Sequence, residues 1–184
     1  MAIYQKCIPH AYRASIFDID FQLLKKQGKL ALFFDLDNTI IGYDEDILHD
    51  THVALLHKLA EDFKIVILSN TNQRRVTSAL SQTDFPCIWH ATKPLKRGFK
   101  KALKIAKINK DQAVMIGDQL MTDILGGNRM GLTTILVKSV KRKSDRKLTK
   151  INRMFERFIL KRIQKKMPEM YQKRLLDYVN DHKV

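Results

Sequence analysis

Asp35 and Asp37 stand two residues apart at the end of the apolar run Leu32-Phe33-Phe34, and Thr39 follows two residues later. Alternate side chains of a strand share a face, so both carboxylates can reach one ligand if the extended geometry persists through them. Two adjacent like charges are costly unless a cation lies between them. A divalent ion with oxygen ligands would supply that charge, and a phosphate would supply further oxygens to hold the ion. The spacing therefore points to phosphoryl-transfer chemistry. The plainer alternative is a strand that ends in a polar turn, for which Asp-Leu-Asp-Asn is also suitable.

The elements that must position such a pair are legible as short apolar runs with helical segments between them. Strands are predicted at Leu30 to Asp35, Lys64 to Ser69, Cys87 to His90, Ala113 to Gly117 and Thr133 to Val137. Their Val, Ile, Leu and Phe content without polar alternation predicts strands buried on both faces of a parallel sheet. Helices are predicted at Ile47 to Asp62, Gln73 to Gln82, Arg97 to Lys107 and Thr122 to Met130, the first with a core-facing stripe of Val53, Leu56 and Ala60. Alternating strands and helices predict a doubly wound α/β layer, whose ligands sit at the carboxyl ends of the strands. Asp35 and Asp37, Ser69 and Asn70, Lys93, and Asp118 all follow predicted strands. Such polar residues gathered at one sheet edge argue against a purely structural domain.

At 184 residues, 45% of them hydrophobic, the chain has room for one ordinary domain with an appendage. The net charge of +15 is uneven: residues 138–184 hold 16 Lys and Arg against 5 Asp and Glu, and residues 1–137 hold 18 against 14. The tail thus predicts attraction to an anionic partner, either nucleic acid or a membrane surface. Lys141 to Lys147 reads as a solvated arm. Beyond it, Ile151, Met154, Phe155, Phe158, Ile159 and Ile163 fall at helical spacing among Arg153, Arg157, Lys161, Arg162, Lys165 and Lys166. Pro168 ends that helix or opens another, with Tyr171, Leu175, Leu176 and Val179 as a second apolar face.

Cys7 and Cys87, far apart, indicate neither a disulfide framework nor a thiolate zinc site, and the six histidines lack ligand spacing. The first residues lack the apolar core of a signal peptide, and no segment approaches the length of a membrane span. The expectation is a cytoplasmic protein, soluble or peripheral on the inner face of the membrane. Gly126-Gly127 lacks the context of a phosphate loop and is read as a site of close packing or helix irregularity.

Asp35-Leu36-Asp37-Asn38-Thr39, Leu68-Ser69-Asn70, Lys93-Pro94 and Gly117-Asp118-Gln119-Leu120-Met121-Thr122-Asp123 resemble, in order and spacing, the four motifs of haloacid dehalogenase (HAD) superfamily phosphatases. The resemblance covers residues 28 to 138. It implies a HAD-like Rossmannoid parallel sheet, with residues 1–27 as an N-terminal segment packed on the core, 28–138 as the phosphatase core and 139–184 as a basic helical extension. It also implies Mg2+ as cofactor. Asp35 would be the nucleophile that forms an aspartyl-phosphate, and Asp37 the general acid and then the general base. An Asp at this second position, where the ATPase branch carries Thr, favours hydrolysis.

Under the same resemblance, Lys93 would offset repulsion between Asp35 and an anionic phosphate. Ser69 would donate to a phosphoryl oxygen, with Asn38, Thr39 and Asn70 around it; its alternative is a cap on the following helix. Asp118 would complete the metal sphere with Asp35 and the main-chain carbonyl of Asp37. Asp123 would be a further ligand or would orient Lys93, its alternative being an acid at a helix N-terminus.

The intervals between motifs leave no room for a cap domain, so the site is expected to be open and suited to a bulky or surface-bound phosphate, with Gly42-Tyr43-Asp44-Glu45-Asp46 as a small flap. These features are similar to the YqeG branch of subfamily IIIA, related to phosphatidylglycerophosphate phosphatases. That likeness implies a phosphoric monoester hydrolase acting on an anionic phospholipid in phospholipid synthesis, docked through its basic tail. The alternatives are a phosphatase of a soluble, protein or nucleic-acid phosphate with an RNA-binding tail, and a non-catalytic scaffold.

Overall fold

The computed structural model describes residues 2–140 and 147–182, with the side chains of 147–153 excepted. Five apolar runs form strands where the pattern predicts them: β2 (Ala31–Phe34), β3 (Lys64–Leu68), β4 (Cys87–Ile88), β5 (Ala113–Gly117) and β6 (Thr133–Val137). A further strand, β1 (Ala11–Arg13), was not expected. The sheet is parallel throughout, in the order β1-β6-β5-β2-β3-β4.

Leu32 and Phe34 of β2 join an apolar cluster with Leu56, Ile65, Ile67, Val76, Val114 and Ile116. Ala31 and Phe33 of the same strand join Val66, Leu68, Phe99, Ala102 and Met115 in a second cluster. Successive side chains enter opposite layers, and both layers are dry, which is why β2 reads as an unbroken apolar run. Helices α2 (Asp50–Ala60), α3 (Gln73–Ala79), α4 (Lys96–Ala106) and α5 (Leu125–Met130) connect the strands; a short α1 (Phe21–Lys26) precedes β2. In α2 the buried stripe is Leu56 and Leu59 with Val53 half-buried; Ala60 is exposed, lying about 100° around the helix from Leu59. A π-helical turn, Leu120–Ile124, precedes α5 where a single helix from Thr122 was expected. Gly126 lets that region pack closely, since a Cβ there would come within 2.5 Å of the Phe99 ring.

The chain runs outward from β2 to β3 and β4, then returns to lay β5 and β6 on the other side of β2. The reversal leaves a crevice between the ends of β2 and β5, the usual ligand position of such sheets. Phe34 stands level with Ile67 on one neighbour and Ile116 on the other, so the residues that follow these three strands emerge together.

After β6 come α6 (Lys147–Lys166), α7 (Pro168–Arg174) and α8 (Leu176–His182). Pro168 opens α7, where its missing N–H costs nothing. Ile159, Leu160 and Ile163 of α6 are buried with Leu120, Ile124, Leu136, Tyr171, Leu175 and Tyr178. Glu156 is buried too, accepting a hydrogen bond from the Tyr178 hydroxyl. The second apolar face is thus Tyr171, Leu175 and Tyr178, with Val179 half-buried against the same cluster and Leu176 exposed. These helices tie back to the first strand: the Tyr12 hydroxyl donates to Asp181 at 2.6 Å, and Arg174 donates to the Pro9 carbonyl at 3.2 Å.

The other side of α6 is unlike a solvated helix. Met154, Phe155 and Phe158 are 64%, 54% and 64% exposed, among the exposed cations Arg157, Lys161 and Lys165. The arm from 141 to 146 and the side chains of Ile151 and Arg153 lie outside the described residues. Among the described residues no helix is long and apolar enough to cross a membrane. Cys7 and Cys87 are free, and burial, with Glu156 nearby, pushes the Cys7 thiol up to about 12, which leaves it unreactive at neutral pH.

Candidate active site

Asp35 leaves the end of β2, where its N–H donates to the Ile116 carbonyl of β5 at 2.9 Å. Lys93 arrives beyond β4 on a loop in which Thr92 holds φ 57° and the Lys93–Pro94 peptide is cis. A β-branched residue in the left-handed region is strained, and such strain collects where a loop must aim one side chain. Asn70 locks the loop in place. Its side-chain amide donates to the Lys93 carbonyl at 3.0 Å, and its side-chain oxygen accepts from the Lys93 N–H at 2.7 Å.

The Lys93 ammonium is buried between two carboxylates, 2.6 Å from Asp35 Oδ1 and 2.7 Å from Asp123 Oδ1. Burial alone would push Lys93 down, but Asp123 and Asp35 together hold it above the usual lysine value. Burial pushes the Asp35 carboxyl well up; Lys93 opposes this, while Asp123 and Asp118 add to it. Asp123 is likewise raised, by burial first and by Asp118, against Lys93.

Asp35, Asp118 and Asp123 each bring a carboxylate oxygen within 4.8 Å of the others, all buried. One lysine does not balance that concentration of negative charge. The donor set is oxygen alone, which suits a hard divalent cation such as magnesium and not a thiolate- or imidazole-seeking metal. The residues therefore fit the metal that the motifs imply. Thr39 sits against the same group, its hydroxyl 3.3 Å from Asp35 Oδ2 and 3.5 Å from Asp118 Oδ1, where it can fix the plane of the Asp35 carboxyl group.

Asp123 hangs from the π-helical turn, and its Oδ2 accepts from the Gln119 N–H at 3.1 Å. Gly117 makes room for it: a Cβ at 117 would lie 2.4 Å from Asp123 Cγ. Gly117→Ala is expected to displace Asp123, lowering magnesium-dependent phosphate release about a hundredfold and giving a smaller rise in melting temperature on adding magnesium than the wild type gives; both are read on one purified sample.

The other expected residues make contacts of their own. Ser69 is buried at the end of β3, and its hydroxyl accepts from the Thr71 N–H at 3.2 Å, while Asn72 caps α3. Asn38 adopts φ 64°, and its carbonyl and side-chain oxygen accept from the Val140 and Tyr43 N–H groups at 2.9 and 3.3 Å, so it shapes the loop around the site. The Asp37 carboxylate is not one of the three grouped acids; it pairs with Arg75, whose Nε donates to Oδ1 at 3.1 Å. Arg75 escaped sequence reasoning, although a trace was legible. Arg74 and Arg75 fall in the first turn of a helix, where the macrodipole disfavours cations unless a carboxylate waits there.

An open parallel sheet with carboxylates and a buried lysine gathered at the ends of β2, β4 and β5 defines a phosphoryl-transfer site of the HAD type. The HAD-hydrolase-like family model matches residues 90–159. The chain is 36% identical to "Probable phosphatase YqeG" of Bacillus subtilis over 86% of its own length and 92% of that protein. It is 24% identical to "Phosphatidylglycerophosphate phosphatase 1, chloroplastic/mitochondrial" of Arabidopsis thaliana over 86% of its length, spanning 48% of the plant protein. Among solved structures, a HAD family enzyme of Bacteroides thetaiotaomicron aligns at TM-score 0.48 and 16% identity, over 62% of this chain and 96% of that one. The chain belongs to the HAD-like phosphatases, in the branch of YqeG.

Proposed function

We propose that this protein is a magnesium-dependent phosphomonoesterase that works through a phosphorylated Asp35, with phosphatidylglycerophosphate at an anionic membrane surface as its substrate. The observation that carries the chemistry is the buried Asp35 carboxylate, paired at 2.6 Å with a buried lysine and grouped with Asp118 and Asp123.

An Asp35 oxygen attacks phosphorus as the bond to the leaving alkoxide breaks, and the Asp37 carboxyl gives that alkoxide its proton. Asp37, now a carboxylate, takes a proton from water as the water oxygen attacks phosphorus and the bond to Asp35 breaks. Lys93 stands against Asp35 throughout and neutralises charge on the phosphoryl oxygens. Asp35, Asp118, Asp123 and the main chain of Asp37 would hold magnesium, which when bound neutralises phosphate charge.

The lipid assignment is supported by two lines. Relatives from Arabidopsis thaliana and Chlamydomonas reinhardtii carry the name phosphatidylglycerophosphate phosphatase. Independently, α6 shows Met154, Phe155 and Phe158 to solvent beside Arg157, Lys161 and Lys165, the pattern of a helix that rests in the headgroup region of an anionic bilayer. Between Asp37 and β3 lie only a loop and α2, so the site is uncapped and can meet a phosphate held at a surface.

The test is phosphate release from phosphatidylglycerophosphate in anionic vesicles, from a soluble alkyl phosphate and from a 5′-phosphorylated RNA, each with magnesium or a chelator. Turnover is expected to favour the vesicles. Phe155→Ser/Phe158→Ser is expected to lower vesicle binding in sedimentation by about tenfold or more. Preference for the RNA, with steeply salt-dependent binding and no vesicle binding, would reassign the substrate class.

A further inference from the structure

Arg75 is the most heavily engaged side chain near the site that no phosphoryl-transfer role accounts for. It reaches from the first turn of α3 and is only 10% exposed. Its Nε donates to Asp37 Oδ1 at 3.1 Å and its Nη2 to the Gly42 carbonyl at 3.1 Å, while its Nη1 donates to the Glu45 carbonyl. The guanidinium carbon lies 5.7 Å from the centroid of the Tyr43 ring, and Asp46 lies 3.9 Å from Nη1. The loop is also closed on itself, with the Gly42 N–H donating to Glu45 Oε2 at 2.7 Å. A planar guanidinium with its donors in a fixed fork can hold three acceptors at defined angles; an ammonium cannot.

We propose that Arg75 is a positioning residue for proton transfer by Asp37, locking that carboxyl group and the 42–46 flap into one unit. Held at one oxygen, the carboxyl group has its plane and rotamer set before substrate arrives. The guanidinium gives up no proton and remains a cation throughout. The leaving alkoxide receives its proton from Asp37, and its timing depends on that group standing within hydrogen-bond reach. Because the same side chain grips the flap, motion of residues 42–46 and misorientation of Asp37 are one event. The inference rests on the reading of Asp37 as the general acid.

Proton transfer matters most when the leaving group is a poor one, and this separates a positioning role from a merely structural strap. An alkoxide must be protonated as it departs, whereas p-nitrophenolate leaves without a proton. The experiment measures kcat/KM, which reports the steps through transfer to Asp35, for an alkyl phosphate and for p-nitrophenyl phosphate with magnesium present. Arg75→Ala is expected to lower the alkyl value about a hundredfold and to lower the alkyl-to-aryl ratio about tenfold or more, with Arg75→Lys between it and the wild type.

Equal losses on both substrates, or no loss on either, would overturn the inference. If Arg75→Ala does not fold, the same ratio measured on Arg75→Lys decides. Absence of magnesium-dependent turnover of both substrates by the wild-type protein would instead refute the phosphatase mechanism itself, so the two failures are distinguishable.

Discussion

Asp35→Asn is expected to abolish magnesium-dependent phosphate release, with a loss of about four orders of magnitude or more. An amide oxygen is a far weaker nucleophile than a carboxylate, and neither Asp123 nor Asp37 can substitute without rebuilding the site: Asp123 is fixed by Lys93 and the Gln119 N–H, and Asp37 by Arg75. The same change should cost little stability. Burial, Asp123 and Asp118 all disfavour a charge at Asp35, and only Lys93 favours it. A neutral isostere removes a repelled charge while Lys93 keeps Asp123 as its partner. Phosphate release and thermal melting of one preparation check both halves. Residual turnover within tenfold of wild type would remove Asp35 from the nucleophile's role.

Lys93→Met should be nearly as damaging, and in two ways. Lys93 is the buried cation of the acidic cluster, so deleting it leaves Asp35, Asp118 and Asp123 to repel one another out of contact with water. Breaking a buried pair by removing one partner costs about 3–5 kcal/mol, because the remaining charge is uncompensated. Melting in a chelator should fall accordingly, and magnesium should restore part of the loss by binding the folded state. Turnover should fall about a thousandfold even with magnesium, since the phosphoryl oxygens lose their fixed counter-charge. A variant that melts like the wild type in chelator would mean that the cluster carries less charge than the geometry implies.

These two expectations concern residues that were visible without a structure. Asp35, Lys93 and Asp118 each follow an apolar run, Asp123 comes with the motif that Asp118 opens, and strands buried on both faces are the easiest elements to find in a chain because every position is apolar. All five expected strands are present, with both ends within two residues of their predicted bounds. β1 was missed because Ala11-Tyr12-Arg13 carries no apolar run; it is a strand only by pairing with Ile135 to Val137 of β6. On α6 the helical spacing left open which apolar residues meet the domain: both sides of this helix carry them, and packing against Leu120, Ile124 and Tyr178 selected Ile159, Leu160 and Ile163 over Phe155 and Phe158.

The sequence by itself determined the order of the chemical groups along the chain and the sheet edge at which they meet. Both are local properties, set by side-chain period and by the polar residue that ends each strand. Only the tertiary structure decided how those groups are shared. Lys93 is divided between Asp35, 58 residues before it, and Asp123, 30 residues after it, and Asp37 is held by Arg75, 38 residues away. No spacing rule reaches across such separations. The partners are chosen where the sheet reverses direction and brings distant strand ends side by side, so that buried charges find one another because water is excluded.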